Sequence, residues 1–186
     1  MISAQPSVLV IGLGNPLLGD DGVGWAVIEE LRNRLQATPD NPADRELFSS
    51  VELDSLSLGG LSLMERLVDY SRVILIDAMV TGNQPIGSVQ VFDLEQLSDQ
   101  HAGHTASAHD VSLKTALRVG RSMGFSLPEQ IWVIAVESRI TYEFSDALSP
   151  PVQAAVPKAA ELAIRLIREW IHSPPPENKS KITKQI

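Results

Sequence analysis

Two carboxylates and an imidazole stand in this sequence where chemistry could use them. Asp20 and Asp21 follow an apolar run and a glycine-rich turn, VLVIGLGNPLLGDD, and come just before a helix-period pattern. Both acids therefore sit at a strand-to-helix turn, the edge at which open α/β sheets bind ligands. An Asp ahead of a helix commonly caps it, for about 1 kcal/mol. We assign that cap to Asp20 and leave Asp21 to face the cleft, with the reverse order as the alternative. Asp77 closes VILIDA, residues 73–78, a run without alternation that reads as a strand buried on both faces. An acid directly after such a strand has little water around it. His109 falls in the first turn of a helix that begins near Ser107, with Asp110 making a capping-box-like start. The positive end of the helix dipole disfavours imidazolium there, so the ring stays neutral and able to bind a metal.

Other residues enter the same accounting. His101 and His104 have a spacing compatible with a shared site but lie in a loop, and they are left out of the candidate set. Glu137 ends the buried run IWVIAV, residues 131–136, and is a further acid for the cleft, suited to a basic residue on a substrate rather than to a metal. The chain has no cysteine, so any metal site must use histidine and carboxylate. The glycines of GLGNPLLG run G-x-G-x-x-x-x-G with no Lys-Ser or Lys-Thr after them. That spacing argues against a nucleotide loop, and the two acids would repel a pyrophosphate.

The elements that must position these residues alternate between strand and helix. Val8 to Ile11 is a short, β-branched strand; Gly24, Val27, Ile28, Leu31 and Leu35 then trace one face of a helix. Residues 37–46 form a proline-bearing surface loop. A second strand is expected over Ser49 to Leu53, ending at Asp54, and a helix from about Gly60. Ser88 to Asp93 alternates, as a half-exposed edge strand does. The His109 helix stops at Gly124. Ser149 and two prolines open a long last helix whose buried face runs from Val152 to Trp170, and Pro157 either kinks it or marks its true start. The fold class is α/β: three layers, with a mostly parallel twisted sheet of about five strands flanked by helices and one antiparallel edge strand. Residues 1–171 make one domain; the proline- and lysine-rich tail, 172–186, is expected to be disordered.

Charge narrows the partners. The 186 residues carry 15 basic and 23 acidic side chains, a net −8. The tail contributes three Lys and one Glu, which leaves the body still more acidic. Such a surface does not suit nucleic acid or an anionic membrane, whereas a cationic or metal-bearing segment fits it. No run approaches the roughly 20 apolar residues that span a bilayer, and MISAQPS lacks a signal-peptide pattern. The expectation is a soluble cytoplasmic protein.

GLGNPLLGDDGVG, the strand ending in IDA, the S-x-H at 107–109 ahead of a leucine-bearing helix, and LSPPV at 148–152 together resemble the hydrogenase maturation endopeptidases, in the right order from about residue 7 to 168. That resemblance implies an endopeptidase that trims the C-terminal extension of a nickel-iron hydrogenase large-subunit precursor once nickel is in place. It implies a site of Asp21, Asp77 and His109, serving both as metal ligands and in catalysis. The nickel is carried by the substrate, and zinc or cadmium can substitute in vitro. The implied partner is the precursor, with no nucleic acid and no membrane, and the protein is expected to be a monomer. Many relatives carry Gly-Gly-Thr after the second strand where this chain has DSLSLGG, residues 54–60, so partner specificity is open. Three alternatives remain: a nickel-sensing module that cuts nothing, a nucleotide-binding domain, and peptidyl-tRNA hydrolase. The hydrolase shares GLGNP but normally has a Thr-Arg-His-Asn run that is absent here.

Overall fold

In the computed structural model the described residues are 8–37, 51–96, 108–139 and 144–171. Strand β1 (Val8–Leu13) is buried at every position, as its unbroken apolar run requires. It pairs in parallel with β2 (Val51–Leu56) on one side and β3 (Arg72–Met79) on the other. β3 pairs in parallel with β5 (Gln130–Glu137), and β5 carries β4 (Val89–Asp93) antiparallel at the far edge. The sheet order is β2-β1-β3-β5-β4. The five-stranded, mostly parallel sheet with one antiparallel edge strand is the architecture that the alternating sequence pattern predicts.

Helices cover both faces. Val8, Val10, Ile74, Ile76, Ile134 and Val136 point to the layer made by α1 (Val23–Ala37) and α4 (Pro150–Ile171). Leu9, Ile11, Val73, Leu75, Ile131 and Val133 point to the opposite layer, made by α2 (Gly60–Arg66) and α3 (Ala108–Ser122). The two-residue period of each strand thus feeds two cores at once. β1 and α1 approach so closely that a Cβ on Gly12 would strike the Gly24 carbonyl. This close packing is the use the structure makes of the glycines in the first turn.

One boundary differs from expectation. β2 continues through Asp54 to Leu56, because Asp54 turns its carboxylate outward to Arg66 Nε (2.9 Å) and the strand need not end there. α4 begins at Pro150, as Ser149 and the two prolines predict, and runs through Pro157, which is therefore not its start. Pro157 lacks an N–H, but its neighbours Val156, Ala159 and Ala160 are buried, and that packing carries the helix across the gap. His101, His104, Ser107, the loop at 38–46 and the tail lie outside the described residues. Among the described residues no helix is long and apolar enough to cross a membrane.

Candidate functional site

The polar groups gather at the carboxyl edge of the sheet. After β1 the chain turns at Gly14, whose φ of +115° is open to glycine and strained for other residues. A side chain there would also collide with the Asp21 carbonyl. Asn15 folds the loop: its side-chain Oδ1 accepts from Leu17 N–H (3.0 Å), and its backbone N–H donates to Asp21 Oδ2 (2.6 Å). A short 3-10 turn, Gly19–Gly22, leads into α1. Asp21, in that turn, is half-buried.

Asp20 does not cap α1. The residue at the head of the turn is Leu18, with no side-chain cap bond. The Asp20 carboxylate is only 5% exposed and reaches across the fold, accepting the Ser149 N–H (2.6 Å) and the Ser149 hydroxyl (2.8 Å). The local capping rule fails because the donors come from 129 positions away. Pro150 and Pro151 have no N–H to offer, and the donors that Asp20 meets at the head of α4 are those of Ser149.

Asp77 is 2% exposed, and its Oδ1 accepts the Ala78 N–H (2.9 Å). Val73, Leu75 and Met79 face the α2/α3 layer, so by alternation Asp77 faces it too. Gly12 is level with Ile76 in the sheet register, and the start of α1 lies against the Ile76 carbonyl. The turn bearing Asp21 therefore lies beside the end of β3.

The direction of α3 places residue 109. Arg121, in its last turn, bonds Glu95 (3.0 Å) and the Pro128 carbonyl (3.3 Å), just after β4 and just before β5. Those residues lie at the amino edge, so the first turn of α3 lies at the carboxyl edge, on the face Asp77 shares. The structure places residue 109 in that first turn; the His109 side chain lies outside the described residues. Among the described residues no group of three His, Cys, Asp or Glu is placed to hold a metal.

Glu137 is taken up by its own neighbourhood rather than presented to a substrate cation. It is fully buried; Oε1 accepts the Thr81 and Gly82 N–H groups and Oε2 the Thr81 hydroxyl, each at 2.8 Å. The candidate acid for the cleft at the end of β5 is thus engaged within the fold, where its carboxylate shapes the loop that follows β3. Sequence reasoning also missed Asn15, whose only local signal was its place in G-N-P, and Ser57, whose hydroxyl donates to the Gly14 carbonyl (2.8 Å). Through Ser57 the divergent segment 54–60 touches the first loop. The edge can thus offer carboxylate oxygens of differing exposure beside a helix start, which suits a divalent ion or proton transfer from water.

Comparison with known proteins gives this arrangement a family. The family model described as hydrogenase maturation protease matches residues 26–166, a span that includes Asp77 and position 109 and begins just past Asp21. The hydrogenase expression/formation protein HupD of Rhizobium leguminosarum bv. viciae is 26% identical over 165 residues, covering 89% of this chain and 76% of that protein. The hydrogenase 2 maturation protease of Escherichia coli (strain K12) is 25% identical over 162 residues, covering 87% and 91%. Among solved structures, the hydrogenase maturating endopeptidase HybD from E. coli shares the fold with a TM-score of 0.63 at 24% identity, covering 88% of this chain and 93% of that one. A hydrogenase 2 maturation peptidase from a Thaumarchaeota archaeon gives 0.53 at 28% identity, covering 86% and 97%. With the family model spanning most of its length, the chain belongs to the hydrogenase maturation proteases and is an enzyme of peptide-bond hydrolysis.

Proposed function

We infer that this protein removes the C-terminal extension of a nickel-iron hydrogenase large-subunit precursor, and that nickel already held by the precursor docks against Asp21, Asp77 and His109. The observation that carries this reading is the convergence of the first loop, the end of β3 and the first turn of α3 on one edge of the sheet. Two carboxylates and an imidazole make a mixed oxygen and nitrogen set that leaves positions for the substrate's own ligands. An ion that must be present before the acids are engaged makes cleavage conditional on nickel insertion. Water adds across the scissile bond, giving a new carboxylate on the mature subunit and an amine on the released peptide. In this reading a carboxylate of this edge takes the proton from that water. Leu17, Leu58, Val80 and Phe144 on loops of this edge, and Leu61 in the first turn of α2, are exposed, as befits a surface that a protein substrate covers.

The test is incubation of the full chain with a nickel-loaded precursor, read as loss of mass from the precursor. Asp21→Ala, Asp77→Ala and His109→Ala should each block trimming while the circular dichroism spectrum stays that of the parent. Normal trimming by all three variants would refute the site. If the parent binds the loaded precursor and no mass is lost, the non-cleaving sensor is the better reading. A cadmium or zinc titration of the three variants supplies an independent measure of ligation.

A further inference from the structure

We propose that Asp20 is a positioning residue: with Ser149 it fastens the turn carrying Asp21 to the head of α4. The proposal rests on the reading of Asp21 as a site residue. A four-residue 3-10 turn with no side-chain cap has little stability of its own. Here it is held from outside. Asp20 accepts both donors of Ser149 (2.6 and 2.8 Å), Gly19 N–H donates to the Ser145 carbonyl (2.7 Å), and Ser145 N–H donates to the Leu17 carbonyl (3.0 Å).

The chemistry suits an anion at position 20. A carboxylate buried to 5% exposure is costly unless hydrogen-bonded, and Ser149 offers one donor to each oxygen. The N-terminal end of a 22-residue helix adds its positive potential. α4 in turn is fixed by the core, since Val152, Val156, Ala159, Ala160, Ala163 and Ile167 are all buried against the sheet. Asp20 thus transmits the rigidity of α4 to the adjacent Asp21, whose oxygen must be held to within about 0.5 Å to engage a reacting centre. Two neighbouring acids divide the work: one sets the frame, the other faces the edge.

The experiment is steady-state trimming of the nickel-loaded precursor by the full chain, at a temperature where circular dichroism shows every variant folded. Asp20→Asn, which turns an N–H₂ toward Ser149, should lower kcat at least tenfold with KM changed less than twofold. Ser149→Ala should fall between it and the parent, and Ser149→Thr should recover most of that loss. The double variant should be no worse than Asp20→Asn, because the two side chains act as one device. Unchanged kcat in Asp20→Asn with only a lower Tm, or additive losses in the double variant, overturns the proposal. Asp21→Ala run alongside separates the two failures: if it trims normally the reading of the site falls. If it is inactive while Asp20→Asn is unimpaired, only the positioning role falls.

Discussion

The two edges of the sheet use charge in opposite senses. At the amino edge Arg72, the first residue of β3, is buried, donates to the Trp170 carbonyl near the end of α4, and lies 5.8 Å from the centre of the Trp170 ring. Burial lowers its pKa, yet a guanidinium remains protonated in neutral solution. Arg121 at the end of α3 likewise meets Glu95 and the Pro128 carbonyl. At the carboxyl edge the buried charges are Asp20, Asp77 and Glu137, and among their donors are backbone N–H groups of Ser149, Ala78, Thr81 and Gly82. Helix direction accounts for the contrast. α3 and α4 start at the carboxyl edge and end at the amino edge, so one edge gathers positive helix ends and the other negative ones. Anions belong at the first and cations at the second. A site built from carboxylates is therefore local to one edge, while the opposite edge serves closure of the fold.

Neutralising an acid tests this division most severely. Asp77→Asn keeps an oxygen for the Ala78 N–H and so leaves the strand end intact. Trimming should nonetheless fall at least about 100-fold, on the order of 3 kcal/mol in the barrier. The same preparation should melt within a few degrees of the parent. A variant that unfolds instead would make Asp77 part of closure rather than of chemistry, and the contrast between edges would fail.

Glu137→Ala should act on the fold of the carboxyl edge itself. Three donors from Thr81 and Gly82 lose a charged acceptor, and the loss of stability should be about 3 kcal/mol by urea denaturation. Glu137→Gln, which retains one acceptor oxygen, should lose less. Equal stability of Glu137→Ala and the parent would show that this carboxylate does not hold the loop.

The sequence exposed the fold more fully than the site. Unbroken apolar runs at 8–11, 73–76 and 131–136 are the inner parallel strands because burial on both faces leaves no room for alternation. The alternating run at 88–93 is the half-buried edge strand β4 for the converse reason. The placement of Asp21, Asp77 and position 109 at one edge was legible for the same reason: strand ends and helix starts are local patterns. What each acid bonds to was not. Asp20 looked like a cap of its own helix and instead serves α4; Glu137 looked available and is enclosed by the loop after β3. Those partners lie 129 and 56 residues away, and no periodicity encodes which distant donor will arrive. Asp54 misled for a related reason: an acid suggests a strand end, but Arg66 allows it mid-strand.

Arg72→Met probes the amino edge. The substitution keeps most of the apolar stem and removes the donor to the Trp170 carbonyl. Stability should drop by about 2 kcal/mol, as when a charged hydrogen bond to a buried partner is lost. Trimming per folded molecule should be unchanged, since no group of the carboxyl edge is touched. A fall in kcat at full folding would mean that the two edges are coupled through α4.

The smallest effect is expected at the end of α3. Gly124 has a φ of +85°, its N–H donates to the Arg121 carbonyl (3.1 Å), and Phe125 N–H returns to the Gly120 carbonyl (3.1 Å), the paired bonds of a Schellman stop. A Cβ added there would meet nothing within 4 Å. The penalty for Gly124→Ala is therefore backbone strain alone, about 1 kcal/mol, and a chemical-denaturation curve should shift by that amount without a change in slope. Because α3 runs from this stop to residue 109 at the other edge, the variant also tests how firmly the helix is seated by Leu113, Ala116 and Leu117. With those side chains holding it, strain at the last turn stays local and trimming keeps its parental rate. A slower rate at full folding would show that the helix shifts along its axis and carries its first turn away from Asp77.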